Sequence, residues 1–313
     1  MRWLWLLVAL GSSAAFASAE RIADAWYAHH ALLMTLGAGD RIVATVNHPQ
    51  SRPWMFKVQP SLNQAQAVNG TAFNVEDLLA RQVDLVFTTQ GDRNALAYQQ
   101  AGIAVVYVGF TDIPSMQQAM LDTAQALGSP QAMARAHAYN AYLDEQLRAV
   151  HARLASLPQA QRPRVLHIAS LNPLKVDGAD TLVDTWIGLA GGRNAATGLK
   201  GNLQVVSAEQ VLAWDPDVVI VAANAGEIGP GLLQQLRAVK AGHVLRNPDG
   251  VFPWDRYGTE LALQVPWAAQ QLHPQAFADV RMVERTMDFY RRFFGYALSE
   301  EGARRIMAGL GPE

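Results

Sequence analysis

The chain contains no cysteine. That excludes disulfides, thiolate metal sites and lipid attachment at an N-terminal cysteine. No apolar run approaches the roughly 20 residues that a bilayer span requires. Basic charge is not in excess either, with 25 Lys and Arg against 27 Asp and Glu, which does not resemble a nucleic-acid binder. The short motifs of phosphate, acyl and metal-hydrolytic chemistry are also missing. There is no Gly-x-x-x-x-Gly-Lys-Ser/Thr loop, no Gly-x-Ser-x-Gly elbow and no His-Glu-x-x-His pair, and Gly226-Glu-Ile-Gly-Pro-Gly231 has the wrong spacing for a dinucleotide fingerprint.

What is present begins with an export leader over residues 1–19. Arg2 supplies the positive start, Trp3 to Leu10 the apolar run and Ala17-Ser18-Ala19 the small-residue cleavage signal. The expected mature protein therefore starts near Glu20, lies in the periplasm, has no membrane span and carries 24 basic against 27 acidic residues. A fourteen-residue phrase then occurs twice, Asn74 to Phe87 and Ser207 to Ile220. It aligns without a gap, and Glu76/Glu209, Leu79/Leu212, Ala80/Ala213, Asp84/Asp217 and Val86/Val219 are identical. Each copy reads as a capped short helix, a turn at Asp and a buried apolar strand, so the phrase favours two similar halves.

From Arg21 the first half alternates strand and helix, which implies a mostly parallel sheet. Between Ser115 and Leu157 the pattern becomes helical, interrupted only at Gly128-Ser-Pro130, and the part from Gln131 is long enough to bridge two lobes. Alternation resumes at Val165. The expected fold is α/β: an N-terminal lobe (20–130), a linking helix (131–160) and a C-terminal lobe (161–313), both lobes Rossmann-like.

Several segments in this order resemble the vitamin B12, ferric-siderophore and haem class of periplasmic binding proteins, the soluble receptors of ABC importers. They are Leu36-Gly-Ala-Gly-Asp-Arg-Ile-Val43, the two copies of the repeated phrase, Asp180 to Asn194, Trp267 to Pro274 and Phe289 to Ser299. The resemblance covers essentially the whole mature chain. It implies two lobes joined by one long helix, a ligand held between them with modest closure, and one glutamate on each lobe docking onto arginines of the permease. Glu76 and Glu209 match those glutamates. An acid in a helix's first turn is also ordinary dipole chemistry, and the two roles are compatible.

Ligands of open α/β sheets sit beyond the carboxyl ends of the strands. That rule collects Trp26, Tyr27, His29, Trp54, Lys57 and Phe110 from the first lobe, with Arg52 on the same long loop, and Asn172, Trp254, Arg256 and Tyr257 from the second. Aromatic rings beside cations suit a flat or conjugated anionic chelate. Trp186 and Trp267 lie in helical patterns and read as core. His29, His30 and His48 are candidate metal-contacting groups, although adjacent helical positions point about 100° apart, so only one of the doublet could reach a given ion. The expected function is capture of a metal chelate and delivery to an ABC permease and its ATPase, without intrinsic cofactor or covalent chemistry. A ferric siderophore or other iron complex leads. Corrinoid, haem and nickel or cobalt chelates remain open, as do a ligand sensor and an exported two-lobed enzyme.

Overall fold

The computed structural model describes residues 18–313, so the expected leader lies almost wholly outside the described residues. The strands are β1 (Ile22–Asp24), β2 (Ile42–Thr45), β3 (Gln66–Ala67), β4 (Leu85–Thr88), β5 (Ala104–Tyr107), β6 (Arg164–Leu171), β7 (Leu174–Val176), β8 (Arg193–Asn194), β9 (Gln204–Val205), β10 (Val218–Val221) and β11 (Val244–Arg246). The helices are α1 (His29–Thr35), α2 (Pro53–Val58), α3 (Val75–Ala80), α4 (Ala95–Gln100), α5 (Ile113–Ala126), α6 (Pro130–Leu154), α7 (Leu182–Leu189), α8 (Ala208–Trp214), α9 (Arg237–Lys240), α10 (Leu261–Leu272), α11 (Met282–Phe289) and α12 (Glu300–Met307).

The first sheet has the order β3-β2-β1-β4-β5 and is parallel throughout. The second has the order β11-β10-β6-β7-β9, with β8 beside β6, and is mixed. Its departure from the parallel expectation has a simple cause. Only Asn172 and Pro173 separate β6 from β7, and a connection that short can make a hairpin but not a parallel crossover.

The repeated phrase has a structural meaning in both lobes. Asn74 caps α3 by accepting the Glu76 and Asp77 amides, and Ser207 caps α8 by accepting the Gln210 amide. The shared aspartates do a second job. Asp84 Oδ2 accepts the Glu20 amide at 2.9 Å and the Arg21 amide at 3.3 Å, while Asp217 Oδ2 accepts the Arg164 amide at 2.8 Å. Each therefore ties the start of the phrase's strand to the start of its central neighbour, β4 to β1 and β10 to β6.

The spine α6 has 25 residues, about 37 Å of helix. Ser129 caps it and Pro130 opens it. Its buried stripe, including Ala132, Ala136, Tyr139, Leu143, Val150 and Leu154, follows the helical period. Both lobes are fastened to it and to each other: Arg135 donates to the Thr35 carbonyl at 2.7 Å and to the Phe293 carbonyl at 2.5 Å, and Tyr139 donates to the Thr259 carbonyl at 2.8 Å. One apolar core runs continuously through the two lobes, with Leu33, Tyr139, Trp254 and Phe293 among its members. A smaller cluster covers the outer face of each sheet. An unbroken shared core resists hinge motion, because opening it would expose packed apolar surface.

Glu260 organises the segment that will matter for the site. Its fully buried carboxylate accepts the amides of Val251 at 3.2 Å and Phe252 at 2.7 Å, Trp254 Nε1 at 3.0 Å, and the Tyr290 hydroxyl. Burial pushes this carboxyl up to about 7 against the pull of those donors. Gly250 leaves room for the cluster, since a Cβ there would lie 2.0 Å from Glu260 Oε1 and 2.2 Å from the Tyr290 hydroxyl. Gly250→Ala should lower the unfolding free energy in urea titration by about 2 kcal/mol or more. Gly109→Ala, at a position with open space for the methyl, should stay within about 0.5 kcal/mol of the parent.

Candidate ligand-binding cleft

The first sheet reverses its strand order at β1, with β2 on one side and β4 on the other, so the loop after β1 occupies the place where such folds take ligands. That loop is set by a buried acid. Asp24 Oδ2 lies 3.0 Å from both His29 Nδ1 and His30 Nδ1, and Asp24 Oδ1 accepts the Trp26 amide at 3.1 Å. Burial alone would raise the Asp24 pKa, but the two imidazoles hold it well below the usual carboxylate range.

The far nitrogens of the histidines are engaged as well. His29 Nε2 meets Thr123 Oγ1 at 3.0 Å, and His30 Nε2 meets Thr45 Oγ1 at 2.7 Å. Both imidazoles are fully buried. The expectation that one of them contacts a metal is therefore corrected: no ring nitrogen is left to donate a lone pair, and the doublet serves to knit the ends of β1, β2 and α5 together. His48 is half-buried and bonds the Val68 carbonyl through Nε2 at 3.1 Å. Among the described residues no three His, Cys, Asp or Glu side chains are grouped to hold an ion.

Three of the expected aromatics do converge, and they come from both lobes. Trp26 packs edge-on to Phe110 with ring centroids 5.2 Å apart, Phe110 to Tyr257 at 5.6 Å, and Trp26 to Tyr257 at 6.3 Å. Tyr27, beside Trp26, is exposed, and its carbonyl accepts from Asn47 Nδ2 at 3.0 Å. Arg52 crosses toward the second lobe. Its guanidinium stacks on Phe252 at 4.8 Å, and its Nε has no hydrogen-bond partner. Burial lowers the Arg52 pKa, opposed by Asp249, Asp255 and Tyr27. Burial also pushes Asp249 up to about 6, with Arg52 acting in the opposite direction.

The second lobe's contribution rests on a buried charge network. Asp177 accepts both terminal nitrogens of Arg256 at 3.0 Å each, and His167 bridges Asp177 Oδ2 at 2.8 Å and Asp255 Oδ2 at 2.7 Å. With a carboxylate on each ring nitrogen, His167 acts as a double donor. Burial would lower its pKa, but the hydrogen bonds it donates to the two aspartates raise it overall. Asn202 Nδ2 donates to the Tyr257 hydroxyl at 2.8 Å.

Two other expectations are corrected. Trp254 is fully buried with Nε1 on Glu260, and Trp54 is buried with Nε1 on the Leu310 carbonyl at 2.8 Å; both are core, as Trp186 and Trp267 also are. Lys57 lies with Trp54 in a small cavity of about 160 Å³ formed with residues 296–299, 301 and 302, Arg305 and Glu313, which shares no member with the Trp26, Phe110 and Tyr257 triad. Asn172 stands exposed at the tip of the β6–β7 hairpin. Glu76 and Glu209 are exposed in the first turns of α3 and α8.

Asp177, His167 and Asn202 were not among the expected site residues. One signal was available: a histidine inside the apolar run Val165-Leu-His-Ile-Ala169 must find a buried partner.

A family model described as periplasmic binding protein matches residues 22–249. The chain belongs to that family. It is 30% identical over 122 residues to the molybdate-binding protein MolA of Haemophilus influenzae, covering 37% of this chain and 35% of that one. It is 31% identical over 160 residues to the vitamin B12-binding protein of Salmonella typhimurium, covering 50% and 57%. The matched segments thus span about a third to a little over half of those relatives' lengths. In structure it is similar to a periplasmic solute binding protein from Veillonella parvula, with TM-score 0.80, 23% identity and coverage of 93% and 92%. It is also similar to molybdate-bound MolA, with TM-score 0.79, 19% identity and coverage of 90% and 94%. These structural likenesses are of fold. No helix among the described residues is long and apolar enough to cross a membrane.

The His167 network predicts a pH dependence. Because its folded pKa is raised above 6.5, the stability it contributes is complete below pH 6.5 and is lost as pH rises through the folded value. Unfolding free energy measured in urea should therefore decline on the alkaline side of 6.5. That decline should be smaller in His167→Asn, the part that remains coming from Glu260, whose carboxyl is pushed up to about 7.

Proposed function

We propose that this chain is the exported substrate-binding component of an ABC importer, capturing an anionic metal complex between its lobes and passing it to a permease and its ATPase. A ferric siderophore or a similar iron chelate is the leading cargo. The observation that carries the reading is the aromatic triad of Trp26, Phe110 and Tyr257, built from both lobes, with Arg256 next to Tyr257 and the Arg52 guanidinium reaching from the first lobe onto Phe252 of the second. Rings offer stacking area to a conjugated chelate, and the cations offer charge-assisted hydrogen bonds to its anionic groups. Capture and release need no covalent step.

A second reading, a tetrahedral oxyanion, is favoured by the likeness to a molybdate-binding relative in both sequence and fold. The contact between the rings favours a small cargo too, because a corrin or porphyrin would have to displace the triad. Glu76 and Glu209, one on each lobe in equivalent positions, suit docking onto a two-fold permease that presents the same basic pocket twice.

Tryptophan fluorescence titration with ferric siderophores, nickel–histidine, haemin, cyanocobalamin and molybdate tests the cargo. One anionic ligand should quench strongly, and Arg52→Ala should weaken its binding at least about ten-fold, the scale of a lost charged hydrogen bond. Affinities that do not change in Arg52→Ala and Tyr257→Ala would remove the cleft from the proposal. For docking, Glu76→Ala with Glu209→Ala should abolish uptake while ligand affinity persists, and normal uptake by that double variant would count against it.

A further inference from the structure

The bonds that Arg135 and Thr259 make to Thr35 lie behind the sheets. Because β1 and β2 are parallel, α1 between them must run back to the amino edge of the sheet, and Thr35 is its last residue. Arg135 reaches the Thr35 carbonyl there, and the Thr35 hydroxyl donates to Thr259 Oγ1 at 2.9 Å. Two lobes joined only at the back could still rock apart at the carboxyl edges of their strands.

A second set of contacts lies at that front edge. In the second lobe, β10 ends at Val221 and β11 at Arg246. Gly309, just past α12, is pressed against both ends: a Cβ there would lie 2.8 Å from Arg246 Cγ, 2.9 Å from the Asn247 carbonyl oxygen and 3.1 Å from Ala223 Cβ. With φ +68° it closes α12 in a Schellman turn, its amide donating to the Ile306 carbonyl at 2.9 Å and the Leu310 amide to the Arg305 carbonyl at 2.8 Å.

That turn directs residues 310–313 onto α2 of the first lobe, which follows the carboxyl end of β2. The Leu310 carbonyl accepts Trp54 Nε1 at 2.8 Å, and a Cβ on Gly311 would touch Pro53 Cγ at 3.6 Å. From the second lobe, Arg305 Nε donates to the Gly311 carbonyl at 2.7 Å. The Trp54 ring also lies against α12, since a Cβ on Gly302 would be 3.3 Å from Trp54 Cη2. Arg52, immediately before α2, adds its stack on Phe252. Parting the lobes here would strip a buried indole N–H of its acceptor.

We propose that residues 310–313 are a strap across the carboxyl edges of the two sheets, with Trp54 as its catch, and that the strap sets how far the lobes part at the mouth of the cleft. The role is independent of which cargo the cleft takes. The chain has no cysteine, so Gln90→Cys and Asn224→Cys, exposed positions past the carboxyl ends of β4 and β10, place one spin label on each lobe of the full chain. Double electron–electron resonance then reads the distance between them. A variant lacking residues 310–313 should gain a longer-distance population, widening the distribution by about half or more, as a hinge freed at one end samples opening. Trp54→Phe, which keeps a ring and loses only the N–H, should shift it the same way by less. A parental distribution in the deletion variant overturns the strap. If the deletion variant loses its near-ultraviolet circular dichroism, Trp54→Phe decides alone, and a parental distribution in it overturns the strap.

Discussion

The buried carboxylate of Asp177 is the constraint on which the second half of the cleft depends. It receives four donors: both terminal nitrogens of Arg256, Nδ1 of His167 and the amide of Leu203. A lone carboxylate in an apolar interior is strongly disfavoured, so its position is defined by the need to keep those donors. Arg256 is thereby aimed, and its neighbour Tyr257 is brought against Trp26 and Phe110 of the other lobe. Asp255, on the far side of His167, locks the same loop from its other end.

The first lobe solves the same problem with the same chemistry. Asp24, at the end of β1, is satisfied by two imidazoles and the Trp26 amide, and the loop that follows presents Trp26. In each lobe a buried acid paired with histidine converts the end of the sheet into a rigid mount for an aromatic ring. The two mounts cannot drift apart freely, because Arg135, Tyr139 and a continuous apolar core join them. Ring contact across the lobes is consequently a property of the resting fold.

Local patterns were readable wherever one segment dictates its own conformation. The helix-to-strand phrase, its caps and its aspartates were visible because capping and strand starts are decided within a few residues. The spine was visible because its apolar period and its Ser-Pro opening are local too. The mixed character of the second sheet turned on a two-residue connection whose consequence depends on which strands pair. The errors lay where burial is decided at long range. His29 and His30 read as accessible because nothing nearby shows that Thr123, ninety-four residues from His29, and Thr45 close over them. Trp54, in the short helix α2, and Trp254, in an irregular segment, both stand beside prolines, and only packing against Leu310 and Glu260 makes them core.

The correction of the histidines changes the chemistry that the cleft can offer. A receptor that completed a metal's coordination sphere would need an imidazole with a free lone pair at the ligand. Both buried imidazoles of the first lobe, and His167 of the second, spend their nitrogens on carboxylates, threonines and the backbone. What the two lobes bring together is instead an aromatic cluster, Phe110 buried and Trp26 and Tyr257 partly buried, with Arg256 beside Tyr257. Under the proposed function such a cluster would discriminate by shape, stacking and negative charge, and would sense a metal only through the ligands that the cargo brings with it. On that proposal selectivity would depend on how closely Trp26 and Tyr257 are held together, and the Asp24 and Asp177 anchors set that spacing in the fold itself.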